Sequence, residues 1–322
     1  MTRRLCYFWQ ILLALLLLNC SHKELDFNQG SGITLTYDWS VSPDASPSVM
    51  SLIVFSGEAQ PVTYTFYNPY TNTISLIAGR YQLVSFNDDT ESLLVRGSKW
   101  SSVEIYSIGS ELANVSRMFA QTRTIPRAAN TDDQPIIYEP ERLWTSVVDD
   151  AMIEHFASSS VTMKMEEATC VYSFTIKNVE NLSYVKEMAA TISGVPGSWF
   201  PALHEPSATE CIIPFLMEAV DESTIKGSVR VFGKSGHYSV NEAGEHYLVI
   251  YAEMKDGAKV YYTVNATDIM STASQNAGDG TGDVSIPIEI DGLPLPKPIT
   301  NGSGFQPTVD QWEEIRINIP MG

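Results

Sequence analysis

Apolar and polar residues alternate with a period of two along most of the chain, which is the pattern of strands with one buried face. Five segments carry the pattern most clearly: Ile33 to Trp39, Val161 to Met165, Cys170 to Ile176, Val284 to Ile290 and Ile315 to Ile319. Two other runs, Leu52 to Phe55 and Tyr247 to Ala252, are apolar throughout and predict strands that are buried on both faces. Asp256-Gly257 stands between apolar runs and predicts a hairpin of Tyr247–Met254 with Val260–Val264.

Helical spacing is rare in this sequence. Leu182, Val185, Met188 and Ile192 recur at helical intervals, and Gly194 could end such a helix. The segment from Val148 to Phe156 fits either a helix or a strand. Many short strands with few short helices predict an all-β protein built from β-sandwiches.

Irregular segments divide the chain. Residues 117–140, with three prolines, predict a long crossover or surface loop of the first domain, and the polar, Gly-rich residues 271–283 predict a mobile loop. A length of 322 residues allows two domains, and Ser158-Ser159-Ser160 precedes a new alternating segment. We therefore place one domain at residues 20–158 and a second at residues 159–322.

The first residues predict where the protein resides. Arg3 and Arg4 precede an apolar run, Phe8 to Leu18, which is followed by Asn19 and Cys20. The run is short for a membrane-spanning helix and fits a secretory signal. Its end resembles a bacterial lipobox, so we expect a signal peptide at residues 1–19, lipidation of Cys20, and an outer-membrane lipoprotein facing the cell surface. The alternatives are an ordinary signal peptide with a chance cysteine, or a short buried helix.

The charge excludes some partners. Asp and Glu exceed Lys and Arg by 38 to 20, giving a formal charge of −18. Such a chain has no excess of cations with which to bind nucleic acid or anionic lipid headgroups, so membrane contact is expected only through the N-terminal lipid. Of the four cysteines, Cys170 and Cys211 would remain as thiols after processing. They could form one disulfide in an oxidising envelope, or lie as two buried thiols.

Catalytic and metal-binding motifs are absent from the sequence. His237 and His246 flank a predicted turn but lack a third ligand, and residues 278–283 resemble a calcium loop without its bidentate Glu. The abundance of acidic residues leaves room for a carboxylate pair that hydrolyses glycosides, but the sequence indicates no particular pair. We predict no catalytic residues, no metal, no cofactor and no enzyme activity.

Aromatic residues cluster in two places. The first cluster is Tyr64, Phe66, Tyr67 and Tyr70, and the second is Trp199 with Phe200. Exposed aromatic rings could stack on sugars, but most aromatic side chains pack in cores or between domains, and we expect that here.

Ordered motifs in the C-terminal half carry a family resemblance. They are Ala190 to Gly194, Lys226 to Gly233, Lys255-Asp256-Gly257 and Asn265 to Ile269, joined near the N-terminus by Cys20 to Leu25 and Tyr37-Asp38-Trp39. In this order they resemble the fimbrillin-like surface lipoproteins of Bacteroidetes, the group of type V pilus anchor and accessory subunits. The resemblance implies two transthyretin-like β-sandwich domains in tandem, without enzyme activity.

The resemblance also implies partners. Pilins of this family lose an N-terminal strand to a protease that cuts after Arg or Lys, and a partner's extended segment fills the groove. Here no Lys or Arg occurs between Glu24 and Gly79, so we expect the strand Ile33 to Trp39 to stay in place. That favours a fimbrial anchor or accessory subunit that contacts pilins through an edge or groove of its C-terminal domain. The alternative is a free-standing surface lipoprotein that binds glycan or a host protein.

Overall fold

The computed structural model describes residues 31–57, 59–120, 125–154, 158–233, 244–277, 285–298 and 312–315. The signal peptide and Cys20 lie outside these residues, as do His237 and the 278–283 loop. Ten strands lie in the described part of the first half: β1 Ser31–Asp38, β2 Met50–Phe55, β3 Val62–Phe66, β4 Thr71–Leu76, β5 Gly79–Asn87, β6 Leu93–Arg96, β7 Glu104–Ser107, β8 Trp144–Ile153, β9 Ser159–Lys164 and β10 Glu166–Glu167.

Eleven strands follow in the described part of the second half: β11 Thr169–Glu180, β12 Val185–Pro196, β13 Ser198–Phe200, β14 Glu205–Pro206, β15 Glu210–Leu216, β16 Glu218–Ala219, β17 Ile225–Phe232, β18 Tyr247–Met254, β19 Lys259–Asn265, β20 Ser285–Pro294 and β21 Trp312–Glu314. The helices are α1 Arg117–Ala120 and α2 Thr267–Ala277, with 3-10 turns at Trp100–Ser102, Leu112–Asn114, Leu182–Tyr184 and Pro201–Leu203.

The first sandwich faces a three-stranded sheet, β4-β1-β9, against a five-stranded sheet, β10-β8-β5-β2-β3. β1 lies in the middle of its sheet, antiparallel to β4 and parallel to β9. Its inward residues Ile33, Leu35 and Tyr37 are buried, while the residues between them are exposed or half-buried. Strand alternation at Ile33 to Trp39 is therefore confirmed, and β2 is buried along its whole length as predicted.

The second sandwich faces the sheet β16-β17-β11-β20 against the sheet β15-β12-β18-β19-β21. β11, β17 and β20 supply one wall of its core, and β12, β15, β18 and β19 supply the other. The hairpin of β18 and β19 closes at Asp256-Gly257, as the sequence predicts. The prediction of an all-β protein made of tandem sandwiches is confirmed.

A small fifth sheet joins the two halves. Its order is β14-β13-β7-β6, so strands from both halves pair, with Trp199 opposite Ile105. Around it lies a buried cluster in which Phe55 and Val103 of the first half contact Trp199 and Phe232 of the second. The expectation that Trp199 packs between domains is confirmed, since 1% of it is exposed.

Residues 112–120 and 125–137, which we call the crossover segment, extend to the second sandwich. This segment lies on the outer face of β12 and β18, where Phe119 packs edge-on against Tyr251 at 5.0 Å between ring centroids. The Tyr251 hydroxyl donates to the Pro126 carbonyl oxygen at 2.6 Å. The sequence suggested a crossover or a surface loop of the first domain, and the structure places it as a cover for the second sandwich.

Two predicted elements are wrong. The helix expected over Leu182 to Ile192 is a 3-10 turn followed by β12, which is buried on both faces from Met188 onward because the crossover segment covers its outer side. The loop expected at residues 271–283 begins instead with α2, whose Met270 and Ala273 pack on the second core. The ambiguous segment at Val148 is the strand β8.

The domain boundary at residue 158 stays a prediction. β9 pairs with β1 and β10 pairs with β8, so residues 159–167 extend the sheets of the first sandwich. β11, the next strand, belongs to the second sandwich. At the end of the chain the structure describes β21, and the alternating residues Ile317 and Ile319 lie outside the described part.

Candidate partner-binding groove

A groove of about 830 Å³ opens on one side of the second sandwich. It lies where β15 of one sheet and β17 of the other diverge, and Tyr138 and Glu139 of the segment before β8 form its third side. Phe174 and Phe215 form the floor, with ring centroids 5.5 Å apart and nearly parallel planes. Leu216 and Val220 stand at the rim, about half exposed. An apolar floor beneath a partly apolar rim suits an extended apolar segment of another molecule.

One wall of the groove is an incomplete sheet edge. β16 pairs with β17 at Ile225 and Lys226 and nowhere else, so within the described residues no strand neighbours Gly227 to Phe232 on that side. Such an edge presents backbone N–H and C=O groups that another strand can pair with. The opposite wall, formed by β15, has fewer backbone groups available for pairing. Pro214 has no N–H, and the N–H and C=O of Ile212 are already bonded to the backbone of Pro135 and Ile137.

Glu139 occupies part of the β17 edge. Its carboxylate accepts the backbone N–H of Arg230 at 2.7 Å, in the place where the carbonyl oxygen of an added strand would bind. The groove walls exclude part of the water around this carboxylate, and this desolvation raises its pKa, while the Arg230 N–H and guanidinium act in the opposite direction. The residue stays exposed at the mouth of the groove. A strand added at this edge would have to displace the Glu139 carboxylate from the Arg230 N–H.

Gly227 allows the groove floor to form. A Cβ atom there would stand 2.3 Å from Met217 Sδ and 2.8 Å from the Leu216 carbonyl oxygen. Glycine is therefore required by the close approach of β17 to the turn from β15 into β16.

The two cysteines of the second sandwich lie in its core. Cys170 and Cys211 are both buried, and no disulfide joins them in the structure. Burial raises the pKa of the Cys211 thiol to about 11. At neutral pH this thiol is protonated and behaves as an apolar side chain.

His246 is buried beside Ser193, whose carbonyl oxygen lies 3.3 Å from its Nδ1. Burial lowers the pKa of this imidazole, which favours the neutral form. Among the described residues no group of three or more His, Cys, Asp or Glu could hold a metal ion. The same part of the chain contains no helix long and apolar enough to cross a membrane.

Two aromatic residues differ from expectation. Tyr67 and Tyr70 are 84% and 65% exposed, so the prediction that they pack in a core is wrong. They lie on the turn between two edge strands, where neither sheet can cover them. From the sequence we expected an edge or groove of the C-terminal domain but named none of its residues, because the residues that line the groove are spread along the chain from Ser110 to Ser228.

Comparisons with known proteins give consistent matches. A family model described as a domain of unknown function, DUF5119, matches residues 19–218. A protein of Bacteroides ovatus named "Putative fimbrium anchoring subunit Fim4B" is 22% identical over 335 residues, which cover 95% of each chain.

Solved structures share the fold. A crystal structure of a "putative adhesin" from Bacteroides ovatus has a TM-score of 0.63 and 19% identity, covering 87% of this chain and 99% of that one. The fimbrial anchor protein Mfa2 from Porphyromonas gingivalis has a TM-score of 0.51 and 12% identity, covering 81% and 90%. At these identities the structural matches establish the fold.

Proposed function

This chain belongs to the DUF5119 family, and from that premise we propose that it is a cell-surface fimbrial anchor or accessory subunit, which holds another subunit and catalyses no reaction. The name of the Bacteroides ovatus relative, matched over nearly its whole length, supports an anchoring role. The fold shared with Mfa2 is in keeping with a fimbrillin-like protein of Bacteroidetes.

The observation that carries the proposal is the position of β1. It is the central strand of its sheet, its inward side chains are buried, and no Lys or Arg occurs between Glu24 and Gly79. A trypsin-like protease therefore finds no site in this strand. A subunit that keeps its first strand does not offer the vacated groove that a stalk pilin offers, so it suits the end of a fibre.

The N-terminus provides the attachment in this proposal. Cys20 carries the lipid after removal of residues 1–19, and the polar residues that follow lead directly into β1. Several acyl chains hold a protein stably in a bilayer, because each buried CH₂ group contributes about 0.8 kcal/mol.

Mass spectrometry of the native protein from outer membranes tests this attachment. We expect a mature chain that begins at a lipidated Cys20, and Cys20→Ala should move the protein out of the membrane fraction. A mature start beyond Trp39 would show that β1 is lost, and would overturn the proposal.

The second sandwich provides the partner contact. An extended segment of another fimbrial subunit adds to β17 beside Gly227 and Ser228, and its apolar side chains enter the groove over Phe174 and Phe215. Backbone hydrogen bonds give affinity in this mode of binding, and alternate side chains give specificity.

Co-purification with fimbrial subunits tests the groove. Leu216→Glu and Val220→Glu place a charge at its rim, and each should reduce subunit capture about tenfold or more, because burying an unpaired charge is costly. Leu203→Glu is the matched control, since Leu203 is 48% exposed and lies outside the groove. Equal capture by all three variants would remove the groove from the proposal without affecting the lipid anchor.

A further inference from the structure

Tyr67 and Tyr70 are the most exposed of the large apolar side chains in the described structure. They belong to the turn between β3 and β4, which are edge strands of the two facing sheets of the first sandwich. We call residues 67–70 the tyrosine turn. It lies in the first sandwich, whereas the groove lies in the second.

The tyrosine turn is held in one conformation by its own hydrogen bonds. Asn68 Oδ1 accepts the backbone N–H of Tyr70 at 2.9 Å and that of Thr71 at 3.4 Å. Trp39 Nε1 donates to the Pro69 carbonyl oxygen at 2.8 Å, and the Tyr37 N–H donates to the Tyr70 carbonyl oxygen at 2.9 Å. The two rings are therefore presented to solvent from a fixed backbone, so little backbone freedom is lost when a ligand binds.

The turn and the two strands that it joins, β3 and β4, carry no charged side chain. No Asp, Glu, Lys, Arg or His occurs from residue 59 to residue 79, in a chain of formal charge −18. Charged residues begin on the neighbouring strand β1, where Asp38 stands opposite Lys164 of β9 and its carboxylate accepts the backbone N–H of Ser40. Beside the turn, Thr71 and Thr73 project outward from β4. Exposed rings bordered by hydroxyl groups and without charge match a neutral sugar, whose C–H faces stack on aromatic rings while its hydroxyls form hydrogen bonds.

We propose that the tyrosine turn is a binding site for neutral polysaccharide, in which Tyr67 and Tyr70 stack on pyranose rings and Thr71 and Thr73 donate or accept hydrogen bonds to sugar hydroxyls. The site goes beyond the anchoring role, because it uses neither the groove nor the lipid. A charged ligand is disfavoured, since the turn offers no counter-charge. A protein strand would be expected to seek a longer apolar face than two separate rings.

Native gel electrophoresis of the full mature protein in gels cast with polysaccharide tests the site. The probes are yeast mannan, laminarin, pullulan and arabinoxylan, with polygalacturonate as the anionic comparison. We expect at least one neutral polymer to retard the protein, and 0.5 M NaCl in a parallel pull-down to leave binding unchanged. Retardation by polygalacturonate alone, or by none of the polymers, overturns the proposal.

Variants locate the site. Tyr67→Ala with Tyr70→Ala should weaken binding about tenfold or more, while Tyr67→Phe with Tyr70→Phe should bind within about threefold of the parent, because the stacking face is kept. Tyr184→Ala is the matched control, since Tyr184 is 41% exposed and lies in the other sandwich. Unchanged binding by the double Ala variant overturns the proposal. Loss of subunit capture with polysaccharide binding intact would identify the turn as a protein interface and would equally overturn it.

Discussion

Gly227 illustrates how a single residue determines whether two strands can approach. Gly227→Ala would place a methyl group against Met217 Sδ, the Leu216 carbonyl and Phe215, so we expect the free energy of unfolding to fall by about 1–3 kcal/mol. Gly32→Ala in β1 is the control, since a Cβ there meets no atom within 4 Å. Urea denaturation of both variants measures the difference. Equal stability of the two would mean that β17 lies farther from the turn into β16.

The Cys211 thiol gives a second residue-scale prediction. Its pKa is raised to about 11, above the value of about 8.5 in an unfolded chain. Between these two values the folded state binds more protons, so the stability contributed by this group falls as pH rises from about 8.5 to 11. Iodoacetamide at pH 8.5 should leave Cys170 and Cys211 unmodified in the native protein and alkylate both in urea. Mass spectrometry showing a disulfide in the urea-unfolded protein would contradict this expectation.

At the scale of elements, the crossover segment is the part that covers β12 and β18. Phe119 is 2% exposed and contacts Tyr251 and Trp312, so Phe119→Ala should lower the free energy of unfolding by about 3–5 kcal/mol. Leu94→Ala, at a 46% exposed position of β6, should change it by less than about 0.5 kcal/mol. Thermal unfolding followed by circular dichroism distinguishes the two. If Phe119→Ala changed the free energy of unfolding as little as Leu94→Ala, the packing of the crossover segment on β12 and β18 would not stabilise the fold.

Elements with one buried face were the ones that the sequence could predict. β1 and β11 alternate because one face meets the core and the other meets solvent or half-buried surroundings. β12 was mistaken for a helix because the crossover segment buries its outer face, so Ala189 and Ala190 are both apolar and no period of two remains. α2 was missed because its buried side includes small or polar residues such as Ser274, which bonds to the Tyr172 hydroxyl at 2.6 Å.

Neither the groove nor the tyrosine turn could be derived from local pattern. The groove joins Glu139 to Arg230, which are 91 positions apart, and its shape depends on where β16 stops pairing with β17. The tyrosines were visible as a cluster, but their exposure depends on β3 and β4 both being edge strands. Long-range placement of this kind leaves no periodic signal in the sequence.

At the scale of the whole molecule, the shared sheet and an ion cluster connect the sandwiches. Arg142 binds Glu167 through two hydrogen bonds of 2.8 and 2.7 Å, and Arg230 reaches the same carboxylate at 3.2 Å. The Glu167 side chain is 7% exposed. Losing one partner of a largely buried carboxylate is costly, so Arg142→Ala should lower the free energy of unfolding by about 3 kcal/mol.

Arg80→Ala is the matched control, because Arg80 pairs with Asp150 at 2.9 Å on the surface, where both side chains are more than half exposed. We expect a change of less than about 1 kcal/mol. Calorimetry should show one cooperative transition for the parent and for Arg80→Ala, and a broadened or split transition for Arg142→Ala. Two separate transitions in the parent would mean that the sandwiches unfold independently.

β1 has a mechanical consequence if the protein hangs from a lipid at Cys20. Tension from a fibre would then enter β1 at its Ser31 end and run along the strand axis. Six residue pairs join β1 to β4 and six join it to β9. A force along the strand would therefore load the hydrogen bonds on both sides of β1 at the same time, whereas an edge strand pulled sideways would lose its hydrogen bonds one after another. A strand that follows the lipid attachment and lies in the middle of its sheet is thus placed to resist drag on the fibre.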